Sequence, residues 1–309
     1  MHRQLTQYNL MSRYNKRMGI TRREWLAGLG AMAATAAAQS RLPDAPRVRT
    51  GPLLCLYSRL LAEVEYPQLG IVLNGLGFDG CDLSVEQGGT VIPDQTPVDL
   101  VRAIEIISGS GLELPVITTS FVSIAEPWAR NVLAICGRSG VPFFRTGLSR
   151  LPAARLAERR NELAGFAAYG RAAGMGMGVP YAAGEDLMRD LNPQWTGYDF
   201  DTTEGSVTAA LPLLKMVTLR DVRKETDRMA PCPLGEGVVD WPAFFTALAR
   251  ARFSGPLTLQ SDYPAADRLE AIRRDLEFAR KHLNAAYQTE IEPTSPRPSS
   301  ESRGARPPA

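Results

Sequence analysis

Histidine is almost missing from this chain: of 309 residues, only His2 and His282 carry an imidazole. A zinc site normally recruits imidazole or thiolate, and neither imidazole is placed to serve one, since His2 falls in a segment expected to be a removable leader and His282 follows Lys281 in the last helical pattern. Cysteine is nearly as scarce. Cys55, Cys81, Cys136 and Cys232 lie far apart with no CxxC or related spacing, so buried free thiols are the favoured reading; an oxidising compartment permits a disulfide, but nothing selects a pairing. No stripe of arginine or lysine interleaved with aromatics exists to track a phosphate backbone, which argues against nucleic acid. Long apolar runs are also lacking: Trp25 to Ala38 falls short of the roughly 20 residues that span a bilayer.

What is present begins with Thr21-Arg22-Arg23-Glu24-Trp25-Leu26, an alanine-rich uncharged run, and Ala36-Ala37-Ala38. Paired arginines before a short, weakly apolar segment and a small-residue cleavage site form a twin-arginine export signal over residues 1–38. The expected location of the mature chain is periplasmic or extracellular, with no stable membrane anchor after cleavage. Residues 1–38 hold six of the 35 basic residues and one of the 33 acids, so removing them leaves 29 basic against 32 acidic. A slightly acidic mature chain favours a small-molecule partner. Residues 39–52 read as a linker, and 288–309, rich in proline and serine, as a disordered tail.

The remaining residues, 53–287, have the size of one (β/α)8 barrel. Short apolar runs alternate with segments of helical period. The runs are Leu53–Tyr57, Gly80–Leu83, Leu114–Thr118, Phe143–Thr146, Gly176–Pro180, Gly197–Phe200, Met216–Arg220 and Leu257–Leu259. Helices are expected over Val98–Ser108, Pro127–Arg138, Ala153–Ala173, Trp241–Arg250 and Ala265–Ala285. Eight units without a second domain favour a closed α/β barrel over an open sheet. Gly174-Met175-Gly176-Met177-Gly178 lacks the helix and the downstream acid of a dinucleotide fingerprint, so nicotinamide binding is rejected.

Several segments carry a resemblance: Leu76-Gly77-Phe78-Asp79-Gly80-Cys81-Asp82-Leu83, Gly88-Gly89-Thr90-Val91-Ile92-Pro93, Tyr198-Asp199-Phe200-Asp201, Leu219-Arg220-Asp221, Pro233 through Trp241, and Gly255 through Pro264. In this order they resemble the xylose-isomerase-like TIM-barrel superfamily, which contains many sugar phosphate isomerases and epimerases. The resemblance implies a divalent ion at the C-terminal mouth of the barrel, with paired acids moving a proton between neighbouring carbons through an enediolate. This chain departs from that pattern. Thr202, Thr218 and Thr90 stand where the family carries histidine, and Asp262-Tyr263 replaces Glu-Tyr on strand eight. The fifth strand offers no acid before Glu185.

Two functions follow as expectations: a sugar phosphate isomerase/epimerase-like protein acting on a sugar or related hydroxy-carbonyl compound, or a non-catalytic or metal-free carbohydrate-binding barrel. Under the first, Asp199, Asp221 and Asp262 form an all-oxygen site for magnesium or manganese, although acids at strand ends also cap helices and pair with arginines; a site without metal remains equally open. Asp262 is the candidate base or metal ligand. Arg220, in the family's lysine position, is either an anion clamp or the partner of Asp199 or Asp262. Arg145 points inward, toward ligand or toward a structural ion pair. Glu236 either fixes the loop after strand seven or faces ligand, and Asp82 at strand two is similar. Tyr57, Phe121, Trp128 and Tyr181 either stack on a sugar ring or fill the core.

Overall fold

Each of the eight apolar runs becomes a strand in the computed structural model, which describes residues 51–291 apart from 153–154 and 157. The strands are β1 (Leu53–Tyr57), β2 (Gly80–Val85), β3 (Glu113–Thr119), β4 (Phe143–Arg145), β5 (Gly176–Pro180), β6 (Thr196–Asp201), β7 (Leu214–Leu219) and β10 (Pro256–Leu259). They close into one barrel in the order β1-β10-β7-β6-β5-β4-β3-β2, and every neighbouring pair runs parallel. Between β7 and β10 the chain inserts an antiparallel hairpin, β8 (Asp221–Lys224) with β9 (Met229–Cys232). The expected export leader over residues 1–38, nearly all of the expected linker and the part of the expected tail beyond residue 291 lie outside the described residues.

Helices α1 (Tyr66–Leu76), α2 (Thr96–Gly109), α3 (Ala129–Arg138), α4 (Arg160–Ala172), the short α5 (Glu185–Met188), α6 (Trp241–Arg250) and α7 (Arg268–Ile291) alternate with the barrel strands except between β6 and β7, where 3₁₀ turns make the link. The sequence of α6 explains its form. The Asp240 carboxylate accepts from the Ala243 amide at 3.0 Å, Pro242 occupies a position where no amide hydrogen is needed, and Trp241, Phe244, Phe245 and Leu248 recur on one buried face. Asp267 plays the same capping part for α7, accepting from the Glu270 amide at 3.0 Å. That helix continues to Ile291, four residues past the expected end of the barrel at 287. Among the described residues no helix is long and apolar enough to cross a membrane.

Strand alternation sorts the core into two compartments. Leu54, Leu56, Leu83, Val85, Ile117, Phe144, Val179, Phe200, Val217, Leu257 and Leu259 are buried in the apolar layer shared with the helices. The alternate set, including Tyr57, Asp82, Ser84, Thr118, Arg145, Asp199, Thr218 and Thr258, is also buried and meets across the barrel interior. The inside of this barrel is therefore strongly polar.

Candidate functional site at the C-terminal mouth

In a (β/α)8 barrel, side chains from alternate strands fill the interior in layers of four, ordinarily with branched apolar residues. Here one such layer is Asp82 from β2, Arg145 from β4, Asp199 from β6 and Thr258 from β10. Arg145 ends β4 and crosses toward the strand opposite. Its Nε donates to Asp199 Oδ2 at 2.6 Å and its Nη2 to Asp199 Oδ1 at 3.1 Å, a bidentate fork of the kind guanidinium geometry suits. Nη1 donates to Asp82 Oδ2 and to Thr258 Oγ1. Thr118 Oγ1 donates to Asp82 Oδ1 at 2.7 Å, and Thr258 Oγ1 to Asp82 Oδ2 at 3.1 Å. Solvent reaches only 3% of the Arg145 side chain, none of Asp82 and 8% of Asp199. A glycine completes the wall: a Cβ on Gly178 of β5 would fall 2.7 Å from Met216 Sδ and 3.2 Å from Asp199 Cβ.

Burial without water makes each of these charges dependent on the others. Desolvation raises the Asp82 carboxyl above its ordinary range, although Arg145, Thr118 and Thr258 oppose the shift. The Arg145 guanidinium, which burial alone would weaken, is held charged by Asp199 and Asp82, and its pKa rises.

Above this floor the strand ends form a rim with two ion clusters. On one side Glu86, just past β2 and 1% exposed, accepts from the Tyr57 hydroxyl and from Arg150 Nη2 at 2.9 Å and forms an ion pair with Arg59 Nη1 at 2.9 Å. Burial pushes the Glu86 carboxyl up, but bonds from Tyr57, Arg59 and Arg150 outweigh it and the pKa falls. The two arginine side chains stay 43% and 48% exposed. Beside them Ser58, Ser84 and Thr90 share hydroxyl bonds of 2.8–3.2 Å. On the opposite side Arg220, just past β7, bridges Asp201 and Asp262, with both contacts at 3.1 Å. Glu204 lies next to this bridge, accepting from the Asp201 amide at 3.4 Å and the Ala182 amide at 3.2 Å. Desolvation, reinforced by Asp201 and Asp199, raises its pKa from the ordinary 4.5 to about 7.

The sequence-derived site residues thus part company. Arg145 and Asp199 meet, as a structural ion pair inside the barrel. Arg220 meets Asp262, one of the two partners expected for it, and adds Asp201. Tyr57 reaches the mouth through its hydroxyl, bound to Glu86 and Arg150. Asp221 is elsewhere: its two oxygens accept from the amides of Val222, Gly235, Gly237 and Val239 and from Trp241 Nε1, at 2.9–3.3 Å. It folds the loop between β9 and α6, where a Cβ on Gly237 would strike its Oδ1. Glu236 pairs with Arg223 at 3.8 Å and Arg274 at 3.6 Å, beside a cavity of about 670 Å³ between the β8–β9 hairpin and α7. That cavity is off the barrel axis.

Asp199, Asp221 and Asp262, taken together as a metal site, therefore do not converge, and among the described residues no group of three His, Cys, Asp or Glu side chains is arranged to hold a metal ion. A divalent cation needs several oxygens with free lone pairs at about 2.0–2.6 Å. Here both oxygens of Asp199 face one guanidinium, those of Asp221 face five N–H groups, and Asp262 faces Arg220. The residues present do not fit a magnesium or manganese ion at this mouth. Glu86, Arg59, Arg150, Glu204 and Thr258 escaped the sequence reading. Glu86 carried one usable signal, an acid three residues past the expected strand Gly80–Leu83.

Comparison with known proteins places the fold. A family model described as xylose isomerase-like TIM barrel matches residues 180–282, from the end of β5 into α7. No curated protein matches the sequence at a significant level. Among solved structures, a D-tagatose 3-epimerase-like protein has a TM-score of 0.57 at 14% identity, covering 77% of this chain and 99% of its own. An L-ribulose 3-epimerase has a TM-score of 0.56 at 16% identity, covering 77% and 96%. A xylose isomerase-like TIM barrel protein from Mycobacterium smegmatis, in complex with magnesium, has a TM-score of 0.56 at 15% identity, covering 77% and 98%. At such identities the likeness is one of fold.

Proposed function

We propose that this protein is a sugar isomerase/epimerase-like barrel that receives a sugar or related hydroxy-carbonyl compound at its C-terminal mouth. The observation that carries the reading is the polar rim above a closed ionic floor. Three arginines there, Arg59, Arg150 and Arg220, are each partly exposed, with forked donors suited to carbonyl, carboxylate or phosphate oxygens. Glu204, with a pKa of about 7, is the group best poised to exchange a proton with a bound ligand near neutral pH. Solved structures of the same fold support the ligand class: a D-psicose 3-epimerase was determined in the presence of D-fructose and a D-allulose 3-epimerase in complex with D-allulose.

The second reading is binding without catalysis. It is favoured by the commitment of Asp199 to Arg145, which leaves the resemblance's metal-assisted proton shuttle without its ligand. We also infer, from the paired Arg22-Arg23 motif alone, that the protein works outside the cytoplasm; cell fractionation with the paired arginines replaced by lysines tests that part.

A single experiment separates the two functional readings. The protein is screened against ketoses, aldoses and sugar acids for thermal stabilisation, and stabilising compounds are incubated in deuterated water and followed by proton NMR. Isomerase or epimerase activity exchanges the hydrogen next to the carbonyl, and a Glu204→Gln variant slows that exchange. Stabilisation with no exchange establishes the binder. No stabilisation by any of these compounds contradicts both.

A further inference from the structure

We infer that the Arg145 guanidinium stands in for a divalent cation, so that the polar floor is complete without metal and conceals a latent cation site that opens only when Arg145 is lost. This inference concerns charge balance inside the barrel and goes beyond the sugar reading, holding whether or not that reading does.

The argument starts from what the layer would be without its arginine. Asp82 and Asp199 are fully or almost fully buried, and the hydroxyls of Thr118 and Thr258 both bond Asp82. Thr218 Oγ1 lies 3.4 Å from Asp199 Oδ1. These are hard oxygen donors from β2, β3, β6, β7 and β10: Asp82, Asp199 and Thr258 touch the guanidinium, and Thr118 and Thr218 bond the two carboxylates. Magnesium, calcium and manganese take donors of this kind. With no positive charge among them, two buried carboxylates would be uncompensated, which a dry interior does not tolerate.

Arg145 removes that conflict from within the chain. One planar cation touches both carboxylates and Thr258, with Nε and Nη2 on Asp199 and Nη1 on Asp82 and Thr258. A metal ion cannot join it, because both Asp199 oxygens already face the guanidinium at 2.6 and 3.1 Å and an ion within bonding reach of them would meet a like charge. Nor can Arg145 leave easily. Its side chain is 3% exposed, and its departure would strand Asp82 and Asp199.

The test uses the mature chain, dialysed against chelator, as wild type and as Arg145→Ser, with melting followed in the presence of magnesium, calcium or manganese. Wild type is expected to ignore all three ions. Arg145→Ser is expected to melt about 10 °C lower and to recover much of that loss with millimolar manganese. If Arg145→Ser does not fold, the double variant Arg145→Ser with Asp82→Asn, which removes one stranded charge, is expected to fold and bind manganese. Manganese paramagnetic resonance on wild type supplies an independent reading, in which the free-ion signal is undiminished by protein. Stoichiometric manganese binding by wild type would overturn the replacement. Folded Arg145 variants that bind none would overturn the latent site. A protein that ignores manganese and also fails to bind any sugar would keep this inference and lose the functional reading.

Discussion

The floor and the rim of the same barrel mouth use the same residue types, arginine against aspartate and glutamate, and solvent makes them different objects. On the floor, Arg145 is 3% exposed and its two partners have nowhere else to turn. At the rim, Arg220 is 29% exposed and its partners Asp201 and Asp262 are 24% and 43% exposed, so water can replace any member. Exposed pairs contribute about 0–1 kcal/mol because water screens them and side-chain order is lost to form them. Breaking a buried pair costs about 3–5 kcal/mol, because the survivor is left charged in a dry place. The floor is thus a fixed structural part, while the Arg220 bridge at the rim has partners that water can replace.

The largest expected effect attacks the floor. Arg145→Met should lose about 3–5 kcal/mol by urea unfolding. Replacing the whole set, as Asp82→Leu, Arg145→Met and Asp199→Leu together, should restore most of that loss, because an apolar layer needs no counter-charge. A triple variant no more stable than Arg145→Met would show that packing, not charge, governs the layer.

Asp221 comes next and sharpens the comparison, since it is as buried as the floor yet, among the described residues, is held by N–H donors and not by a cation. Its stabilisation comes from five N–H donors on the loop around Gly235–Trp241. Asp221→Asn presents one acceptor and an opposing NH2, and should cost about 2–3 kcal/mol, roughly one charged hydrogen bond or more. Hydrogen exchange should show that loop opening first.

Glu204 predicts a pH effect at the rim. Its folded pKa of about 7 lies above the ordinary 4.5, so the folded state holds the proton more tightly than the unfolded chain. The resulting stabilisation is complete below about pH 4.5 and is lost as pH rises to about 7 and beyond. Glu204→Gln should flatten that part of the profile, measured as the difference in melting temperature between wild type and variant across the window. The smallest effect is Arg220→Ala, expected to cost less than about 1 kcal/mol and to lose even that at high salt, while weakening binding of any stabilising sugar or sugar acid.

Much of the fold was legible because parallel strands buried on both faces appear as short apolar runs between turn signals. β1 and β5 coincide with their expected bounds, and α6 with its own. The misses have physical causes. The α1 segment, Tyr66-Pro67-Gln68-Leu69-Gly70-Ile71-Val72-Leu73-Asn74-Gly75-Leu76, carries no charge and so shows no polar face. The β8–β9 hairpin is short and largely polar, and depends on Asp221 gathering the loop that follows it. At the site, Arg145, Asp82 and Asp199 each stood out as polar residues at strand ends, yet Arg145 meets partners 63 and 54 residues away. Strand spacing tells which face a residue takes. It does not tell which side chain is long enough to cross the axis, and that length decides whether Asp199 meets a metal or an arginine.

The most direct test of that distinction is a crystal structure of the wild-type protein soaked in manganese, with anomalous scattering recorded. The guanidinium of Arg145 should lie between Asp82 and Asp199, with no anomalous peak within bonding distance of either carboxylate. A manganese peak bound by Asp82 or Asp199, with Arg145 swung away, would contradict the central claim.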